Sequence, residues 1–154
     1  MKIILLLLAL GVGNSVFAID SYDQMYLDAG AVNHQFDIIN YDKYLNVTRL
    51  INNQFAKRLP AQVDSETTYT MFKLSRNGLR ISLELDGINT VEELEERLDE
   101  HLFLQMMKNR MCGQLPMFES KFFTKTTQGN VVYEINNLTM KKLKSYSINF
   151  RDCQ

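Results

Sequence analysis

The run CGQLPMFESKFFTKTTQGNVVYEINNLTMKKLKSYSINFRDC, residues 112–153, has one of the chain's two cysteines at each end. Inside it lie two alternating stretches, Val131-Val132-Tyr133-Glu134-Ile135 and Tyr146-Ser147-Ile148-Asn149-Phe150. Period-two alternation puts Val131, Tyr133 and Ile135 on one face of a strand, and Tyr146, Ile148 and Phe150 on one face of another. Gly129 punctuates before the first stretch, and Asn136-Asn137 begins a turn after it. Pro116 suits the first position of a short helix over 116–123. The run reads as a helix end, a connector and a β-hairpin.

The other end of the chain indicates the compartment. Lys2 is followed by Ile3-Ile4-Leu5-Leu6-Leu7-Leu8-Ala9-Leu10, then Gly11, Gly13, Asn14 and Ser15, then Val16-Phe17-Ala18. A charged start, a short apolar core and small residues at the −3 and −1 positions describe a secretory signal over 1–18, cleaved after Ala18. The apolar run is too short and too interrupted for a bilayer span of about 20 residues. Without Lys2 the net charge moves from −1 to −2. This near balance offers no basic field for nucleic acid. A periplasmic or secreted address is expected, with no stable span once the signal is removed.

Export gives the cysteines their meaning. Two thiols in an oxidising compartment are expected to pair, so Cys112–Cys153 is the predicted disulfide. Closing a loop of about 40 residues contributes roughly 4 kcal/mol in the chain-entropy model. The alternative is a metal site, but two cysteines and the distant His34 and His101 lack zinc-type spacing.

Working back along the chain, Tyr22, Met25, Tyr26 and Ala29 fall at helical spacing before Gly30, giving a short helix within an N-terminal arm over 19–40. Residues 41–154 form a single domain in this reading. Tyr41, Tyr44, Leu45, Thr48, Ile51, Phe55 and Leu59 line one face of a helix over 41–58, capped by Asn40 and ended by Pro60. Asn77-Gly78 is the strongest two-residue hairpin signal. With those two as the loop, Arg76 faces Leu79, Leu74 faces Ile81, Phe72 faces Leu83 and Thr70 faces Leu85. That face is apolar, while Lys73, Arg80, Ser82 and Glu84 lie on the other with Tyr69 and Met71.

Thr90-Val91-Glu92-Glu93 opens a long helix with a capping box and an acidic first turn. Val91, Leu94, Leu98 and Leu102 make its core stripe. Gly113 and Pro116 close it. The predicted class is α+β: an antiparallel sheet of two β-hairpins with helices on one face, in the order α–α–ββ–α–ββ.

No catalytic motif is present: there is no G-x-S-x-G, H-E-x-x-H, P-loop or dinucleotide fingerprint. His101 reads as a polar residue at the edge of the core stripe rather than as a base. The acids Glu92, Glu93, Glu95, Glu96, Asp99 and Glu100 lack calcium-loop spacing and read as a solvated helix face. Neither cofactor nor metal is called for.

Two clusters carry functional hypotheses. Phe103, Met106, Met107 and Met111, with Met117 and Phe118 beyond, bring flexible thioethers suited to a partner groove. The same residues suit a second core layer, which the rarity of large exposed apolar patches favours. Tyr22, Tyr26, Tyr41 and Tyr44 suit an interface, but their helical spacing favours a core stripe. Asn46-Val47-Thr48 and Asn137-Leu138-Thr139 match the glycosylation acceptor pattern.

The order of helix, Cys112, Pro116, short helix, Gly129, strand, turn, last strand and Cys153 resembles a group of small exported proteins of the Gram-negative cell envelope. It also looks like the disulfide-bearing pilotins of secretion systems. The resemblance spans roughly residues 45–154 and rests on spacing. Pilotins are lipoproteins, and no lipid-accepting cysteine follows Ala18 here. The missing catalytic constellation, beside a Met/Phe-rich surplus of apolar surface, leads to the expectation of an exported, non-catalytic protein that binds another envelope or secreted protein. The alternatives are a small hydrolase with an unrecognised site and a carrier of an apolar ligand.

Overall fold

The computed structural model describes residues 20–114, 120–149 and 151. The expected signal, Pro116, Met117, Phe118 and Cys153 lie outside the described residues. The elements are α1 (Asp20–Asp28), α2 (Tyr41–Ala56), β1 (Ala61–Gln62), β2 (Thr67–Ser75), β3 (Gly78–Leu85), α3 (Val91–Arg97), α4 (Glu100–Gln114), a π-helical turn (Phe122–Thr126), β4 (Asn130–Asn136) and β5 (Lys142–Asn149).

The strands form one sheet in the order β1-β2-β3-β4-β5. Three neighbouring pairs are antiparallel, but β3 and β4 run parallel, from Leu79↔Val131 to Glu84↔Asn136. The architecture is α+β with a mixed sheet, not the antiparallel sheet of two hairpins predicted from sequence. A parallel step needs a long crossover, and α3, α4 and the π-helical turn supply it between β3 and β4. Local alternation is the same in either strand direction, so it gave no sign of this.

The first hairpin differs in register from the sequence reading. Ser75 pairs with Gly78, so the loop is Arg76-Asn77 and Leu74 faces Leu79. A shift of two keeps every side chain on its own face, so polarity alone could not choose between the registers. The choice falls on Gly78, whose φ is +123 and where an added Cβ would lie 2.2 Å from the carbonyl oxygen of Asn130. Only glycine lets the starts of β3 and β4 come this close. Further along, a bulge between Tyr69 and Met71 turns Tyr69 opposite Leu83 and Thr67 opposite Leu85. Both become buried members of the core face.

The exposed side of β2 is closed by a side chain. Leu74 stands where its backbone points away from β3, and the Asn52 amide meets it there. Asn52 Nδ2 donates to the Leu74 carbonyl at 2.9 Å, and the Leu74 N–H donates to Asn52 Oδ1 at 2.7 Å. A carboxamide thus stands in where the two-residue β1 does not reach along β2, and it fastens α2 to the sheet.

The helices also depart from their sequence stripes. Asn40 caps α2 as predicted, its side chain accepting from the Lys43 N–H at 3.1 Å. The buried positions are Tyr44, Val47, Thr48 and Ile51, which leaves Tyr41 and Leu45 exposed beside the stripe. The Thr90/Glu93 capping box forms. The single long helix does not, because Leu98 is extended and Asp99 caps a new helix, its carboxylate accepting from the Leu102 N–H. Short acidic side chains compete for backbone amides in this way. The break changes the helical phase, so Leu102 is 54% exposed while Phe103 and Met107 enter the core.

Residues 20–40 are tied to the other end of the chain. Both Asp23 carboxylate oxygens accept backbone N–H groups of the π-helical turn, from Lys121 and Phe122, each at 2.9 Å. Thr126 Oγ1 donates to the Phe36 carbonyl at 2.8 Å. Tyr26, Ala31, Val32 and Phe36 are buried in the common core.

Candidate functional site

An aromatic column runs from the core to the surface where α1, α2 and the π-helical turn meet. The Phe122 and Tyr26 rings stack at 3.7 Å, Tyr26 and Tyr44 at 5.7 Å, and Tyr44 and Tyr41 at 5.8 Å. The Tyr26 hydroxyl shares a 2.8 Å hydrogen bond with Thr48 Oγ1. The buried Tyr44 hydroxyl has no well-aligned hydrogen-bond partner among the described residues, although Thr48 is near enough to moderate its acidity. Burial pushes the Tyr26 phenol far above its ordinary 10.0, against the smaller opposing effect of Thr48. Burial also raises Tyr44 and, half-buried, Tyr22.

The outer end of the column opens onto a strip of apolar side chains. Ile39 is 63% exposed, Tyr41 53% and Leu45 39%. Tyr41 and Leu45 are four apart and share one face of α2, and Ile39 precedes the Asn40 cap. Sequence periodicity placed both helical residues in the core. Their offset from the Tyr44–Val47–Thr48–Ile51 line is the signal that separates them from it.

The residues predicted to bind a partner on α4 are differently disposed. Phe103 packs edge-on to Tyr133 at 6.0 Å and against Tyr146 at 5.1 Å. Met107 is 2% exposed, and Met106 is half-buried against the same core. Cys112 lies half-buried in the last turns of α4. The Met111 side chain lies outside the described residues.

The polar candidates have mostly structural employment. Glu93 accepts from the Asn89 N–H at 2.7 Å and the Thr90 N–H at 3.3 Å. Glu95 and Glu100 each approach Lys144 Nζ at 3.0 Å, which raises the Lys144 ammonium well above its usual range, with Glu100 contributing most. No group of three or more His, Cys, Asp or Glu among the described residues is arranged to hold a metal ion. His34 is exposed in the segment between α1 and α2, and His101 is exposed on α4. A cavity of about 450 Å³ is lined by Arg76, Asn77, Thr127, Gln128 and Asn130, a polar set unlike an apolar carrier site. Asn137 of the second acceptor pattern is buried, with its amide oxygen occupied. Among the described residues no helix is long and apolar enough to cross a membrane.

No protein-family model matches the chain, and no curated protein matches it. Solved structures do match in shape. The pilotin of the Vibrio vulnificus type 2 secretion system covers 75% of this chain and 98% of its own, at 13% identity and a TM-score of 0.50. A candidate secreted protein of Pseudomonas aeruginosa covers 71% of this chain and 91% of its own, at 8% identity and a TM-score of 0.51. These likenesses speak to the fold. At such identities no side-chain role transfers with it.

Proposed function

We propose that the chain is an exported, non-catalytic accessory protein that binds another envelope or secreted protein. The observation that carries this is the strip Ile39–Tyr41–Leu45, where apolar side chains face solvent at the end of an ordered aromatic column. A tyrosine whose ring is already stacked loses little freedom on binding and offers both an apolar face and a hydroxyl. The fold shared with a secretion pilotin and a candidate secreted protein supports the exported setting. The leader-like residues 1–18 support it too.

Affinity purification from the native cell envelope, with mass spectrometry of the companions, tests the reading. The doubly substituted Tyr41→Ser, Leu45→Ser protein keeps the core and should lose its companions. Recovery of the same companions by both proteins would place the contact elsewhere. On α4 the half-buried Met106 remains a candidate for the expected partner surface, together with Met111, whose side chain lies outside the described residues. Met107→Asp is unsuitable as a probe, since a charge at that buried position would unfold the protein.

The same setting leads us to propose the Cys112–Cys153 disulfide as the covalent closure of the C-terminal unit. Thiol labelling of the denatured, unreduced protein should then find no reactive thiol. Finding two would remove the staple from the account.

A further inference from the structure

The turn between β4 and β5 displays two large apolar side chains to solvent. Leu138 is 58% exposed and Met140 74%. Met140 is held at φ +61, in the left-handed region that an ordinary side chain avoids. Phe36 also has a positive φ, at +65, but its ring is buried in the core, so packing compensates. At Met140 the described contacts offer no such compensation.

The turn is nonetheless rigidly built. Asn137 is 6% exposed. Its Oδ1 accepts from the Thr139 N–H, the Thr139 hydroxyl and the Lys141 N–H at 3.0, 2.7 and 2.9 Å. Backbone bonds Met140 N–H to Asn137 C=O and Asn137 N–H to Lys141 C=O close the loop at 2.9 and 3.0 Å. Asn137 Nδ2 reaches the Asn89 carbonyl at 3.5 Å, anchoring the turn beside α3. The next two residues, Lys141 and Lys142, are exposed, whereas Lys144 is engaged by Glu95 and Glu100.

We propose that this turn is a membrane-docking tip, which sets Leu138 and Met140 into the interface of an anionic phospholipid bilayer with Lys141 and Lys142 among the headgroups. A convex tip with two aliphatic side chains suits an acyl boundary better than it suits a protein pocket. Paired lysines directly behind it supply the charge that an anionic surface attracts, on stems long enough to keep their ammonium groups in water. Salt screens this lysine attraction, so the binding is salt-sensitive, and exposed Glu92 and Glu96 on α3 oppose it and keep it reversible. The surface is separate from the α2 strip and does not depend on it.

Cosedimentation of the protein recovered after export tests this, using vesicles of phosphatidylglycerol in phosphatidylcholine against phosphatidylcholine alone. The expected result is binding to the anionic vesicles that weakens as salt is added. The Lys141→Ala, Lys142→Ala protein should bind about tenfold more weakly or worse. Met140→Gly separates docking from folding: glycine relieves the left-handed φ, so its urea midpoint should be no lower while vesicle binding falls about tenfold. No sedimentation with anionic vesicles overturns the proposal. So does sedimentation that neither variant weakens, or a Met140→Gly protein that loses an envelope protein companion while its vesicle binding is unchanged.

Discussion

Two turns at opposite ends of the sheet handle positive φ in opposite ways. At the β2–β3 turn the unusual conformation falls on Gly78, and the neighbouring strand leaves no room for anything larger. At the β4–β5 turn it falls on Met140, which faces solvent and carries a long apolar side chain where glycine or asparagine would be easier. The first residue is dictated by packing between β3 and β4. The second is not dictated by packing, and it costs the fold something. The contrast separates a position that builds the structure from one that the structure merely presents.

Gly78→Ala should have the largest effect. A Cβ 2.2 Å from the Asn130 carbonyl must force β3 and β4 apart at the parallel pairing. The expected loss is about 3 kcal/mol or more in urea denaturation. A loss under about 1 kcal/mol would mean that the two strand starts are not in this contact.

At the other turn, Asn137→Ala removes the acceptor of three donors and should cost about 2 kcal/mol. If that variant is as stable as the parent, Asn137 does not hold Met140 in place.

Alkaline pH probes the Gly78 end of the sheet, where the charge of Arg76 reaches the Tyr44 phenol. Tyr22, Tyr26 and Tyr44 all have raised folded pKa values, chiefly through burial. Below the ordinary tyrosine value of 10.0 both folded and unfolded phenols are neutral, and stability is unaffected. Above it the unfolded chain ionises first, so stability falls as pH rises, by roughly 1 kcal/mol per pH unit for the deeply buried Tyr26. Denaturation at stepped pH checks this, and Tyr26→Phe should flatten the slope. An unchanged slope would locate the titrating group elsewhere.

Much of the local structure was legible in the sequence, because local signals are physical devices in their own right. Asn40 and the Thr90/Glu93 pair act on backbone amides within three residues, so a short window contains the whole interaction. The period-two faces of β3, β4 and β5 were legible for the same reason. What escaped depended on partners distant in sequence. The parallel direction of β3 and β4 is set by where the crossover helices return the chain. The hairpin register is set by Asn130, more than fifty positions away from Gly78 in the count. Asp99 ends one helix and starts another, which shifted the predicted stripe and put Leu102 outside and Phe103 inside. The candidate surfaces followed suit. Tyr41 and Leu45 share the spacing of the core stripe they neighbour, and the exposure of Leu138 and Met140 is not legible because periodicity says nothing about a turn.

The smallest expected effect is at Met140, which occupies its turn against the preference of the fold. Equilibrium urea denaturation of Met140→Gly, side by side with the parent protein, measures it. Equal stability or a gain of up to about 1 kcal/mol is expected. A loss of about 1 kcal/mol or more would show that the methionine side chain supports the structure, and the distinction between the two turns would collapse.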